Sequence, residues 1–190
     1  MAWLGRLLRN RRAGAQRLAW NAPNLAAEGL LVLTSPDFID GQAIPLLHAA
    51  RRVGGGELSP ALFWSRPPAG AEELMLVIED ADAPTPSPFV HCLALLDVSL
   101  TSLPQGGLSA RRPAPGVRLL RSTIGRGFVG PAPIKGHGPH HYVFQLFALS
   151  RVVRRGPGGR PLESSRAREV IAAVEGVMAR GRLEGTYERS

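Results

Sequence analysis

The chain has 190 residues, 44% hydrophobic and 20% charged, with a formal net charge of +8 at pH 7. These values suit one well-cored globule and exclude wholesale disorder despite 22 Gly and 17 Pro. No apolar run approaches the roughly 18 to 20 residues that cross a bilayer. A single cysteine, Cys92, leaves no internal disulfide and no cysteine-based zinc site.

Residues Met1 to Trp20 carry Arg6, Arg9, Arg11, Arg12 and Arg17 with no acid, while Trp3, Leu4, Leu7, Leu8, Ala15, Leu18 and Ala19 recur near helical spacing. The pattern predicts a basic amphipathic helix, an N-terminal extension over 1–22 ahead of a single domain over 23–190. Arginines interrupt its apolar stretches too often for a secretory signal, so the chain is expected to start at or near Met1 and to be cytoplasmic. Its apolar face needs cover, either on the domain or across a homodimer, with a membrane surface as the alternative.

Beyond Pro23 the sequence becomes short apolar runs separated by Gly, Pro, Ser and Asp, the pattern of a mainly antiparallel β protein. Predicted strands are 30–34, 62–64, 74–79, 90–96, 117–124 and 142–149. Leu74 to Ile78 and Tyr142 to Leu149 are apolar on both faces, which makes them central strands in a two-layered structure. One long helix is predicted near the C-terminus. Val170, Ile171, Val174, Val177 and Met178 line one face, Ser164 or Ser165 caps the start, and Gly181 ends it.

Chemistry-bearing residues gather at strand ends. Asp80 and Asp82, two apart on an extended chain, lie side by side after the first central strand; a turn in which they bond their own backbone is the alternative. His91 sits in the next strand. His140 and His141 follow the Gly and Pro-rich loop from Gly125 to Pro139 and lead into the other central strand. Two Asp and two His with a glycine loop suit an anion pocket better than a metal centre, since no compact metal-ligand spacing occurs. The acid-free window from Val98 to Leu162 holds nine arginines and Lys135, the lone lysine among 23 basic residues, and favours anionic partners. Specific nucleic-acid binding is not expected, because those arginines lack interleaved aromatics.

The run Leu74-Met75-Leu76-Val77-Ile78-Glu79-Asp80-Ala81-Asp82-Ala83-Pro84, with His91 beyond it, resembles the Asp-Pro-Asp-x-Pro…His signature of the phosphatidylethanolamine-binding proteins, also called the Raf kinase inhibitor protein family. Gly127 to Gly136 followed by His140-His141-Tyr142 resembles that family's Gly-Pro-x-Pro-Pro-x-Gly…His-Arg-Tyr motif. Ser59-Pro60-Ala61-Leu62-Phe63-Trp64 and Gly185-Thr186-Tyr187 extend the likeness over Leu30 to Tyr187, most closely to the bacterial branch. The resemblance implies a large antiparallel sheet packed on a smaller one, a C-terminal helix, and a small pocket for phosphate-like anions. By position, Asp80, Asp82, His91, His140 and Tyr142 would line it, with Gly130 and Pro131 as its loop wall. It also implies a sharp turn with a cis Ala83-Pro84 bond. Departures from the motif are Ala81 and Ile134 in place of Pro, His141 in place of Arg, the pair Gly138-Pro139, and Cys92 after His91.

On this reading the protein binds a small anionic or zwitterionic ligand, such as phosphate or a phospholipid head group, without catalysis, metal or cofactor. Occupancy would modulate a partner protein. The alternatives are inhibition of a kinase or protease through a protein surface, and an ester or phosphoester hydrolase using the Asp/His pocket, for which the motif offers no hydroxyl or thiol nucleophile. His91 and His140 are expected to hold the oxyanion together, helped by Tyr142 and the 127–136 loop.

Overall fold

Strands apolar on both faces must be covered twice, and three of them form the middle of the molecule. The computed structural model describes residues 2–189. Its strands are β1 (Gly29–Leu30), β2 (Leu33–Thr34), β3 (Leu62–Trp64), β4 (Glu73–Asp80), β5 (Phe89–Asp97), β6 (Ser102–Leu103), β7 (Val117–Leu119), β8 (His140–Leu149) and β9 (Val177–Tyr187). The large sheet runs β1-β9-β8-β4-β5-β7, and the small antiparallel one β2-β3-β6. The fold is mainly β, as its sequence pattern implies. Every pairing of the large sheet is antiparallel except β1 with β9, which is parallel, so the sheet is mixed.

The period of two sorts the core into two clusters. Leu74, Leu76, Ile78, Cys92, Leu96, Phe144 and Leu146 point to the small sheet and meet Leu33, Leu62 and Trp64. Met75, Val77, Leu93, Leu95, Phe147 and Leu149 point the other way, onto the N-terminal segment and the helix α2 (Ala167–Ala173), whose Val170 and Ile171 complete that layer with Val174 just beyond.

Three predicted elements beyond the N-terminal segment change. The C-terminal helix is far shorter than its apolar periodicity implies. It ends at Ala173 with Val174 already extended, Gly176 turns the chain with a left-handed φ of 76°, and Val177 and Met178 open the eleven-residue β9 instead. Gly181 is therefore no helix stop: a Cβ there would lie 2.3 Å from the Leu31 carbonyl oxygen, where the chain crosses β9 and Leu31 N–H bonds Arg180 O at 2.9 Å. Neither Ser164 nor Ser165 caps α2; the N-cap is Arg166, whose N–H donates to the Glu169 carboxylate. The strand expected over 30–34 is split between β1 and β2, and that over 117–124 is ordered as strand only to Leu119.

The basic segment is not one helix. Helix α1 spans Ala2–Leu8, and an extended strap follows. Three turns of 3-10 helix then cover Ala15–Arg17, Ala19–Asn21 and Pro23–Leu25. Ala13 and Gly14 N–H donate to Ala83 and Ala81 O, both at 2.9 Å, so hydrogen bonds to the end of β4 replace those a continuous helix would make. Leu18, Ala19 and Leu25 are buried, and Trp20 lies over Phe147 under the Arg180 guanidinium. Trp3 and Leu7 of α1 remain 66% and 72% exposed. The Ala83-Pro84 bond is trans, not cis. The sharp turn is made without it: Thr85 N–H reaches back to Ala83 O at 2.8 Å, and that carbonyl is also held by Ala13.

If Gly181 is a crossing point, Gly181→Ala should destabilise by about 1–3 kcal/mol through overpacking, whereas Arg182→Ala, at an exposed pair with Glu184, should cost under about 1 kcal/mol. Urea denaturation of the two variants beside the wild type checks this.

Candidate functional site

Alternation along β4 sends its last two carboxylates to opposite faces. Glu79, fully buried, turns to the helix side, accepts Ala19 N–H at 2.7 Å and Gln145 Nε2 at 2.8 Å, and pairs with Arg168 at 2.5 Å. Burial pushes its carboxyl above the usual range, against the opposing pull of Arg168, Ala19 and Gln145. Asp80 turns to the other face, and its Oδ1 also accepts Asp82 N–H at 2.8 Å, an Asx turn of the kind its sequence allowed. Beyond the strand, Asp82 accepts His141 N–H at 2.7 Å and His141 Nδ1 at 2.6 Å, and pairs with Arg12 at 2.5 Å. Burial opposes its ionisation, but Arg12 and His141 outweigh that and hold the carboxyl below its ordinary value.

Asp80 begins a relay. Its Oδ2 meets His140 Nδ1 at 2.7 Å, His140 Nε2 meets His137 Nδ1 at 2.7 Å, and His137 Nε2 donates to Leu8 O at 2.8 Å, with Arg11 O at 3.2 Å. Carbonyl oxygens only accept, so the network assigns a proton to His137 Nε2. His137 was passed over in the sequence as part of a Gly and Pro-rich loop. It ties His140 to the carbonyls of the strap.

Next to the relay lies a cavity of about 140 Å³. Asp80, His91, His140 and Tyr142 line it together, as their motif implies, and Arg52, Thr85, Phe89 and the 132–134 loop complete it. His91 Nδ1 donates to Val129 O at 2.6 Å, and its Nε2 makes no hydrogen bond among the described residues. Burial pushes the His91 ring below its usual range, with Asp80 and Val129 opposing, so it is neutral at pH 7 and presents Nε2 as a lone pair. Tyr142, stacked near His140 and edge-on to His91 at 5.1 Å, is held as a phenol, its pKa raised by burial and then by Asp80. Both ring nitrogens of His140 are engaged, so it supports the site and has no donor to spare.

Three expected site residues stand apart from the lining. Asp82 is held at the edge by Arg12 and His141. Gly130 and Pro131 lie behind the wall, where a Cβ on Gly130 would meet His48 O at 2.4 Å and Pro131 O accepts Ala50 N–H at 2.9 Å. That glycine is needed for close backbone approach. Arg52, whose guanidinium reaches Ala132 O at 3.4 Å, is the cation of the lining, and no sequence signal marked it. Among the described residues no group of three His, Cys, Asp or Glu is placed to hold a metal.

A family model described as phosphatidylethanolamine-binding protein matches residues 34–188. The UPF0098 protein Rv1910c of Mycobacterium tuberculosis is 34% identical over 176 residues, covering 92% of this chain and 78% of its own. The UPF0098 protein PH1269 of Pyrococcus horikoshii is 30% identical over 166 residues, covering 85% and 79%. Among solved structures, Escherichia coli YbcL, described as a member of the mammalian PEBP family, superposes with a TM-score of 0.71 at 28% identity over 84% of this chain and 99% of that one.

The Asp82 cluster makes a prediction with a definite sign. A carboxyl whose folded pKa is depressed adds stability above its unfolded value of about 3.9, and loses it as pH falls through the folded one. Asp82→Asn should cost about 1–3 kcal/mol at pH 7, and the gap from wild type should close as pH falls below about 4. Urea midpoints measured across that range check it.

Proposed function

Because the chain belongs to the phosphatidylethanolamine-binding protein family, we propose that its pocket binds a small oxyanion, the phosphate-like part of a soluble metabolite or a phospholipid head group, and does so without catalysis. The observation that carries the reading is the donor set on one small cavity: the Arg52 guanidinium, the Tyr142 phenol, and His91, whose free Nε2 becomes a donor when protonated. The neighbouring carboxylates are already committed, Asp80 to His140 and Asp82 to Arg12 and His141. An amine on the ligand therefore gains no open carboxylate, which favours a plain anion over a zwitterion.

Support for a binding role comes from the state of the candidate nucleophiles. The Cys92 thiol is buried and pushed up to about 12, Tyr142 stays protonated, and Thr85 spends its hydroxyl on Ser87 O at 2.7 Å. No base is positioned on any of them.

Sulfate is the suitable probe, being tetrahedral and of constant charge across the range. By calorimetric titration Arg52→Ala should weaken it by about 1.5–3 kcal/mol, the scale of hydrogen bonds to charged groups. Affinity should be flat from pH 8.5 to 7 and rise below the ordinary histidine range near 6.5, as His91 gains its proton. His91→Gln should abolish that rise. An Arg52→Ala variant that binds like wild type would overturn the proposal.

A further inference from the structure

The segment Pro84 to Phe89 is a ridge with a cavity on either side. One is the pocket already described. On the far side lies a separate cleft of about 400 Å³ between that ridge, the chain after β7 and the start of α2. Its volume is that of a metabolite site. Arg121, Arg166 and Arg168 line it with the hydroxyl residues Thr85, Ser87, Ser122 and Thr123, and no acidic residue does.

The three arginines divide by what they already hold. Arg168 is structural: it pairs with Glu79, donates to Pro88 O, and reaches Arg17 O at 3.3 Å. Arg121 makes one long contact, 3.4 Å to Ser164 O. The Arg166 guanidinium makes no ion pair or hydrogen bond to another side chain among the described residues. Neither of these two forks is paired with a carboxylate among the described residues, and both residues line one concave surface. Like charges gathered there repel unless an anion sits between them, and a guanidinium fork matches a phosphoryl group in geometry as well as sign.

We propose that this cleft is a second anion site, distinct from the family pocket, that takes a phosphomonoester group between Arg121 and Arg166 with its oxygens toward the hydroxyls of Ser87 and Thr123. Pro88 and Phe89 offer an apolar wall for the rest of such a molecule. Phe89 faces both cavities, its ring 4.9 Å from that of His91.

The test uses the full chain and two probes, inorganic phosphate and phosphatidylcholine vesicles with and without phosphatidate, followed by amide NMR shifts and titration. Phosphate should move the amides of Thr123 and Ala167. Arg121→Ala with Arg166→Ala should weaken that response about tenfold, the loss expected on removing charge-assisted bonds, while shifts at Val129 and Tyr142 persist. Arg111→Ala with Arg112→Ala, which removes the same charge from another exposed stretch, should change it less than about twofold, as screened distant charges do. Free phosphate acting in this way supports a soluble phosphomonoester. Vesicle binding that needs phosphatidate and the Arg121/Arg166 pair supports a lipid head group at the same site. No response at Thr123 or Ala167 with either probe, or equal loss in the Arg111/Arg112 control, overturns the proposal.

Discussion

Three carboxylates within four residues, Glu79, Asp80 and Asp82, are buried at one end of the central strand, and the rest of the molecule is arranged to compensate them. Burying a charge without partners costs several kcal/mol even after relaxation. Each carboxylate therefore draws in a different part of the chain. Glu79 engages the N-terminal turns and, through Arg168, the helix that covers the sheet. Asp80 engages the histidine relay, and Asp82 the strap and the edge of β8. Removing Asp80 would leave the fully buried His140 ring without its partner, whereas Arg12, His141 and Arg168 are each a third or more exposed and can turn to water.

The middle of this fold was readable because a strand covered on both faces leaves an unmistakable run: Leu74 to Ile78 and Tyr142 to Leu149 could not be amphipathic surface elements. β9 was hidden for the opposite reason. Its inward set is Ala179, Gly181, Leu183 and Gly185; the Leu31 backbone crosses over Gly181, and the Ile44 and Phe38 side chains press on Gly185, so the period of two carries little hydrophobicity. Val177 and Met178 then fall by coincidence on the helical period of α2. The pocket residues Asp80, His91, His140 and Tyr142 were legible through their motif, since strand ends bring them together by register alone: Asp80 pairs with Tyr142 across β4 and β8. Arg52, Arg12 and His137 were not, because each arrives from a loop or strap whose path depends on long-range packing.

The departure at His141 acquires a physical meaning beside the strap. Where the family motif has an arginine, this chain has an imidazole that meets one oxygen of Asp82, while Arg12, 70 positions earlier, meets the other. The guanidinium at that carboxylate is thus supplied by a segment that lies outside the span matched by the family model. A substitution that reads locally as a lost charge lies, in three dimensions, beside a guanidinium brought from elsewhere in the chain. The same segment closes the relay through the Leu8 and Arg11 carbonyls, so the N-terminal residues are joined to the site at two points.

The relay has a mechanical consequence. Asp80 and His140 face the pocket at one end, and at the other His137 is held by the carbonyls of Leu8 and Arg11. Lifting the strap is a local event whose free energy is smaller than that of global unfolding, and it takes from His137, and through it from His140, a partner that the pocket wall rests on. The strap is thus a latch on the back of that wall. Exchange of the Ala13 and Gly14 amides, which bond Ala83 and Ala81, reads how often it lifts.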